Sequence, residues 1–375
     1  MGLIRVSNKT HLVILIFILI FISSCSNDKT IVNHQNPDNK SLSASNVYNS
    51  TGYTKDQQTE IIQSNQLCNN TSLKLMNYTS GLLSPRVYAG LLEPQSYLIT
   101  NFEPLRSDIR NYLQDGNISA SVYIENLRNG VNIGINQNRG YFPASLNKLP
   151  VAILVMQNIE DGKLSYDTLL PLEDSERSSA SGMLYLSDKK QMSVRELLEA
   201  MLNDSDNTAF DVLYNHIDKK ELRKLLEYYN ININVDYPYR RLEFIYNTDQ
   251  VTSISMYNLF SSLYLSTVFT DPKDSEYLLS LLANSDFDVK TLASLPENVT
   301  VAQKYGEYYE DHTQQFHDSG IIYIGQSRIF YCIMTRGLES EDAKQAIGFI
   351  VNHVYNYVTY ERSKLDKLKK PNGQK

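Results

Sequence analysis

The chain has 375 residues, of which 42% are hydrophobic and 21% charged, with a formal net charge of −7. These values exclude a collagen, a mucin-like stalk and a wholly disordered protein, and leave room for one large domain or two modest ones. The acidic balance argues against a nucleic-acid partner, which would need a basic footprint. Three cysteines are too few for a disulfide scaffold or a four-thiolate metal site.

Arg5 and Lys9 precede the apolar run 12–22, which ends in Ser23-Ser24-Cys25. A charged start, a short apolar stretch and small residues before a break are the pattern of a secretory signal. Eleven apolar residues are too few to span a bilayer comfortably. The Ile-Ser-Ser-Cys ending resembles a bacterial lipoprotein box. That resemblance implies removal of residues 1–24, lipidation of Cys25, membrane attachment through the lipid and a place in the cell envelope outside the cytoplasm. A plain secretory signal or an uncleaved anchor are the alternatives. Residues 26–70 hold nine Asn among many Ser, Gln and Thr. Such a segment cannot bury a core and reads as a tether with a reach of roughly 35–40 Å. Residues 25–85 are therefore assigned to lipidated cysteine and linker, and 86–375 to the folded part. Cys68 lies in the polar stretch; Cys332, inside an apolar run, reads as a small buried hydrophobe.

In chain order, apolar spacing predicts a helix over 91–113, with Pro94 and Pro104 able to kink its first half. Two strands, 119–127 and 131–136, flank an Arg128-Asn129-Gly130 hairpin signal. Pro143-Ala144-Ser145 opens a helix whose near-continuous apolar character predicts burial. The stretch from about 164 to 265 is mostly helical, with helices at 194–202, 208–216, 219–229 and 254–265. Strands return at 299–304, 320–324 and 328–335, before a final helix over about 341–364. The economical architecture is α+β: a five-stranded antiparallel sheet built from both ends of the chain, flanked by helices, with an all-helical insertion. Catalytic groups would converge where the two parts meet.

Ser145-Leu146-Asn147-Lys148 sets a hydroxyl and an amine three residues apart, on one face of a helix. A desolvated Lys148 with a lowered pKa can take the Ser145 proton, and the N–H groups at a helix start favour a developing oxyanion. A capping Ser beside a solvated Lys would look the same. Ser205-Asp206-Asn207, sixty residues on, falls in a loop between two predicted helices and can present a second hydroxyl and an amide, or merely cap the next helix. Lys304-Tyr305-Gly306 ends a predicted strand; the Lys can hold a carboxylate and the Gly admits a substrate backbone, unless Lys304 is only an exposed edge residue.

Together the three segments resemble class A β-lactamases within the penicillin-recognising serine hydrolases, whose signature is Ser-x-x-Lys, Ser-Asp-Asn and Lys-Thr-Gly. The resemblance runs over about 280 residues. It implies a serine hydrolase that opens the β-lactam amide through an acyl-enzyme on Ser145. Lys148 would assist proton removal and Ser205 would relay a proton to the leaving nitrogen. Asn207, Lys304 and Gly306 would bind substrate, with the backbone N–H groups of Ser145 and Glu307 as oxyanion hole. Arg241-Leu242-Glu243-Phe244-Ile245-Tyr246-Asn247 resembles the family's Arg-x-Glu-x-x-x-Asn loop, which implies Glu243 as deacylation base and Asn247 as partner for the water. Tyr305 departs from the small hydroxyl residue of the family. A D-alanyl-D-alanine-type peptidase acting on a peptidoglycan stem peptide, and a catalytically silent envelope lipoprotein, share the fold and remain alternatives. A monomer without cofactor or metal is expected. His312 and His317 lack zinc-ligand spacing and read as surface or strand-start residues.

Overall fold

The computed structural model describes residues 101–233, 235, 250–309 and 314–369. Cys25, Cys68, Glu243, Asn247 and His312 lie outside these residues, as do the leader, the linker and the first half of the predicted 91–113 helix.

The first described helix, α1 (Glu103–Asp115), begins one residue before Pro104, so the proline occupies the first turn, where its missing N–H costs nothing. Strands β1 (Ala120–Asn126) and β2 (Asn132–Ile135) form the hairpin expected at Asn129-Gly130. A one-turn 3-10 segment, Ala144–Asn147, leads into α2 (Lys148–Glu160), whose residues from Lys148 to Met156 are all buried. The short strands β3 (Leu169–Pro171) and β4 (Gln191–Ser193) pair beside helices α3 (Val194–Asn203), α4 (Asn207–Asn215) and α5 (Lys219–Tyr228). Helices α6 (Ser253–Tyr264), α7 (Pro272–Ala283) and α8 (Val289–Leu292) follow. Strands β5 (Thr300–Tyr308), β6 (Gln315–Ile324) and β7 (Ser327–Arg336) precede the last helix, α9 (Ser340–Lys369).

The sheet is five-stranded and antiparallel, in the order β2-β1-β7-β6-β5. Its two faces serve different cores. Ile109 of α1 and Ile347, Ile350 and Val354 of α9 pack against Val122, Ile322 and Ile333 on one face. The other face, through Tyr123, Ile321, Phe330 and Cys332, joins the core of the helical block. Strands covered on both sides become buried throughout, as β1 and β6 are. Cys332 is a free, fully buried thiol. A carboxylate inside this packing, Glu125, is held by the hydroxyls of Tyr123 and Tyr257, each at 2.6 Å.

Two predicted strand boundaries move by four or five residues. β5 continues four residues past Lys304, and β6 starts five before Gly320, because the polar residues His317, Asp318 and Ser319 are buried inside the strand. β5 is the sheet edge, and it faces the helical block where the candidate residues gather.

Candidate active site

The Ser145 turn is pinned from below. The Phe142 N–H donates to Gln315 Oε1 at 3.1 Å, and the Phe142 carbonyl lies 2.9 Å from His317 Nε2. His317 is thus a fully buried anchor inside β6, not a surface residue. A carbonyl accepts only, so Nε2 carries the proton. Burial pushes the His317 pKa down to about 4. The neutral ring stabilises the fold fully above the ordinary histidine value and loses that contribution as pH falls from about 6.5 towards 4. Between pH 7.5 and 5, wild type is therefore expected to lose about 2 kcal/mol more stability than His317→Gln. Urea titrations at the two pH values measure this, and parallel losses would exclude it.

Ala144, just before Ser145, has φ 46°, a strained conformation for an L-residue of the kind that collects at functional sites. The turn then rests on β5: a Cβ at Gly306 would lie 3.0 Å from Ser145 N and 3.1 Å from Ala144 Cβ. Gly306 thus lets the edge strand approach the backbone of Ser145 itself.

Lys148, one helical turn after Ser145, is 1% exposed. Its Nζ lies 2.9 Å from Ser145 Oγ, 3.0 Å from Ser205 Oγ and 2.7 Å from Asn207 Oδ1, and it also contacts the Ser205 carbonyl. The carbonyl and the amide oxygen accept only, so they take two N–H donors. The third position on nitrogen, a proton or a lone pair according to charge, is left to the two hydroxyls. Burial, and next the charge of Lys304, hold the Lys148 pKa well below its ordinary value, against the opposing pull of Asp206 and Asp211. A neutral amine facing a serine hydroxyl is the arrangement that proton abstraction requires.

Ser205 and Asn207 reach Lys148 because Asp206 between them is fixed twice. Its Oδ1 caps α4 by accepting from Ala209 N at 2.9 Å, and its Oδ2 accepts from Leu184 N at 2.9 Å. Ser205 itself sits at φ 55° and is buried. The triplet therefore caps α4 through Asp206 while Ser205 and Asn207 contact Lys148. The segment that carries Leu184 was not signalled by the sequence. Gly182, at φ 81°, packs so closely that a Cβ there would come within 2.0 Å of Asp206 Oδ2.

Lys304 is not an exposed edge residue but 0% exposed. Burial pushes its pKa down to about 7, with Asp318 and Glu307 opposing. Asp318 is also fully buried; burial raises its pKa, while a 2.6 Å hydrogen bond from Tyr331 and the charge of Lys304 lower it. A cavity of about 390 Å³ opens between the turn, the Ser205 loop and β5. Its walls include Ser145, Lys148, Asn207, Tyr305 and Glu307. Ser145, Lys148, Ser205, Asn207, Gly306 and Glu307 are thus brought together, with Lys304 behind Tyr305.

A family model described as the Beta-lactamase enzyme family matches residues 104–358. The chain belongs to that family. No curated protein sequence matches this β-lactamase-family chain. Among solved structures, the TLA-1 extended-spectrum β-lactamase aligns with a TM-score of 0.63 at 20% identity, covering 69% of this chain and 99% of its own. A β-lactamase from Chitinophaga pinensis aligns at 0.62 and 18%, covering 68% and 100%. PBP-A aligns at 0.61 and 19%, covering 69% and 97%. A PBP-A variant solved as an acyl-enzyme complex with penicillin G aligns at 0.61 and 19%. At these identities the likeness establishes the β-lactamase fold.

Proposed function

We propose that the chain is a serine hydrolase that opens the β-lactam amide through an acyl-enzyme on Ser145. The observation that carries this is the buried amine of Lys148, 2.9 Å from Ser145 Oγ and 3.0 Å from Ser205 Oγ. In acylation, Ser145 Oγ bonds to the carbonyl carbon while its proton passes to Lys148. The oxyanion is held by the backbone N–H groups of Ser145 and Glu307. As the carbon–nitrogen bond breaks, Ser205 passes a proton to the leaving nitrogen and recovers one from Lys148. Asn207 orients both the substrate amide and the lysine. Water then displaces Ser145 from the acyl group; Glu243, paired with Asn247, is the proposed base for this step.

A D-alanyl-D-alanine-type peptidase would form the same acyl-enzyme, and the equal likeness to PBP-A supports keeping it as the second reading. The two differ in the lifetime of the intermediate. Intact-mass spectrometry with a penicillin is expected to show one covalent adduct, mapped to Ser145, that disappears within a turnover time as product accumulates. Glu243→Ala is expected to leave the adduct standing, with its lifetime lengthened at least about a hundredfold. A long-lived adduct in wild type selects the peptidase, and no adduct with any penicillin or penicillin ester rejects the acyl-enzyme altogether.

We further propose that Cys25 carries a lipid that attaches the protein to an envelope membrane outside the cytoplasm, with residues 26–85 as the tether. The basis is the order of Arg5 and Lys9, the apolar run and the Ser23-Ser24-Cys25 ending.

A further inference from the structure

The cation that the site would use for a substrate carboxylate is closed off. Lys304 is 0% exposed and forms no part of the cavity wall, whereas its neighbour Tyr305 does. The Lys304 amine lies 4.3 Å from the centroid of the Tyr305 ring and donates to the Tyr305 carbonyl at 3.3 Å. The ring therefore takes the cation's outward face, the position that an incoming carboxylate would need. Tyr305 is itself wedged. Phe287 packs against it at 4.9 Å between centroids, and Phe316 stacks on it at 6.4 Å.

Nothing else among the described residues of the wall offers an anion a cation. Lys148 is held towards its neutral form and its amine is committed to Ser145, Ser205 and Asn207. The wall instead contributes the carboxylates of Asp211 and Glu307 and the rings of Phe142, Phe210 and Tyr308. Burial has also weakened the charge of Lys304, so an anion that displaced the ring would meet a cation partly discharged near neutral pH.

We infer that Tyr305 shields Lys304 so that the Ser145 site favours uncharged acyl donors over their carboxylate-bearing counterparts. This rests on the acyl-enzyme reading and names the substrate class within it: lactams, amides or esters whose acid group is absent or masked. The ring sets the preference by excluding the anion from its partner, and the aromatic wall receives the apolar body of the substrate.

The test compares a cephalosporin with its carboxyl methyl ester on the purified full chain, following the second-order rate of covalent adduct formation by intact mass. Wild type is expected to react with the ester at least about tenfold faster than with the acid. Tyr305→Thr, which uncovers Lys304, is expected to move the ester-to-acid ratio at least about tenfold towards the acid. Tyr305→Phe, which keeps the ring, is expected to retain the wild-type ratio. A wild-type preference for the acid overturns the inference, and so does a ratio that Tyr305→Thr leaves in place. The Phe variant and the wild-type ratio stand even if the Thr variant does not fold. An adduct with neither compound overturns the acyl-enzyme reading itself, an outcome distinct from an adduct with the wrong preference.

Discussion

Lys148→Met is expected to slow acylation of Ser145 by roughly 10²–10⁴-fold, the range that a positioned general base supplies. Methionine has about the length of the lysine stem and suits an interior that already buries it. The substitution removes the nitrogen lying 2.9 Å from Ser145 Oγ while leaving Leu149 to Met156 packed as before. It leaves the Ser205 carbonyl and Asn207 Oδ1 without their donor, so some stability is lost as well. The diagnostic is the pH profile. In wild type, acylation should stay high through neutral pH and decline as acid protonates the amine. Burial places that decline well below the ordinary lysine range. A thioether in its place cannot titrate, so the residual rate of the variant should lose the acid limb. Stopped-flow acylation from pH 5 to 9 reads both effects, with Ser145→Ala as the zero. A variant that is slow yet keeps the acid limb would reassign the base.

Much of this arrangement was legible in the sequence, for definable reasons. The Ser145/Lys148 pair is local, and helical spacing alone brings its two side chains onto one face. The hairpin at Asn129-Gly130, the buried α2 and the five antiparallel strands all followed from patterns that alternate or repeat within a dozen residues. What escaped was polar and buried at once. Gln315, His317, Asp318 and Ser319 interrupt the apolar rhythm of β6, yet each is buried in the strand. Their partners lie outside the strand: the Phe142 backbone is far away in the chain, and Tyr331 and Lys304 sit on the neighbouring strands β7 and β5. The same holds for β5, where the mixture of lysine, tyrosine, glycine and glutamate after Gln303 disguises an edge strand lining a cleft. Helix α7 was missed although Asp271 caps it and Pro272 opens it, because charged and apolar residues share its first turns. The triplet Ser205-Asp206-Asn207 showed the converse. A local cap and long-range contacts coexist there, since Asp206 caps α4 while its neighbours turn to Lys148.

Gly182→Ala is expected to cost about 3 kcal/mol or more of stability, by a route that the motifs do not reveal. An L-residue at φ 81° starts with about 1–2 kcal/mol of backbone strain. The added Cβ would also stand 2.0 Å from Asp206 Oδ2 and 2.5 Å from Asp206 Cα. The carboxylate could swing aside, but the backbone atom belongs to the turn that aims Ser205 and Asn207 at Lys148. The segment around Gly182 must therefore move away, and it breaks two contacts as it goes: Leu184 N to Asp206 Oδ2 at 2.9 Å and Asn207 N to Ser181 O at 3.0 Å. Acylation should fall at least tenfold with the loss of register at Asn207, in keeping with the steep dependence of catalysis on position. For a domain of this size the stability loss corresponds to a fall in Tm of roughly 6–12 °C. Met183→Ala is the control: it is the next residue, 69% exposed, and should change neither quantity beyond about 0.5 kcal/mol. Thermal melts and acylation rates on the three proteins decide the matter. If Gly182→Ala melts with wild type, the Ser205 turn does not depend on this support, and its geometry must be held by Lys148 and the Ala209 cap alone.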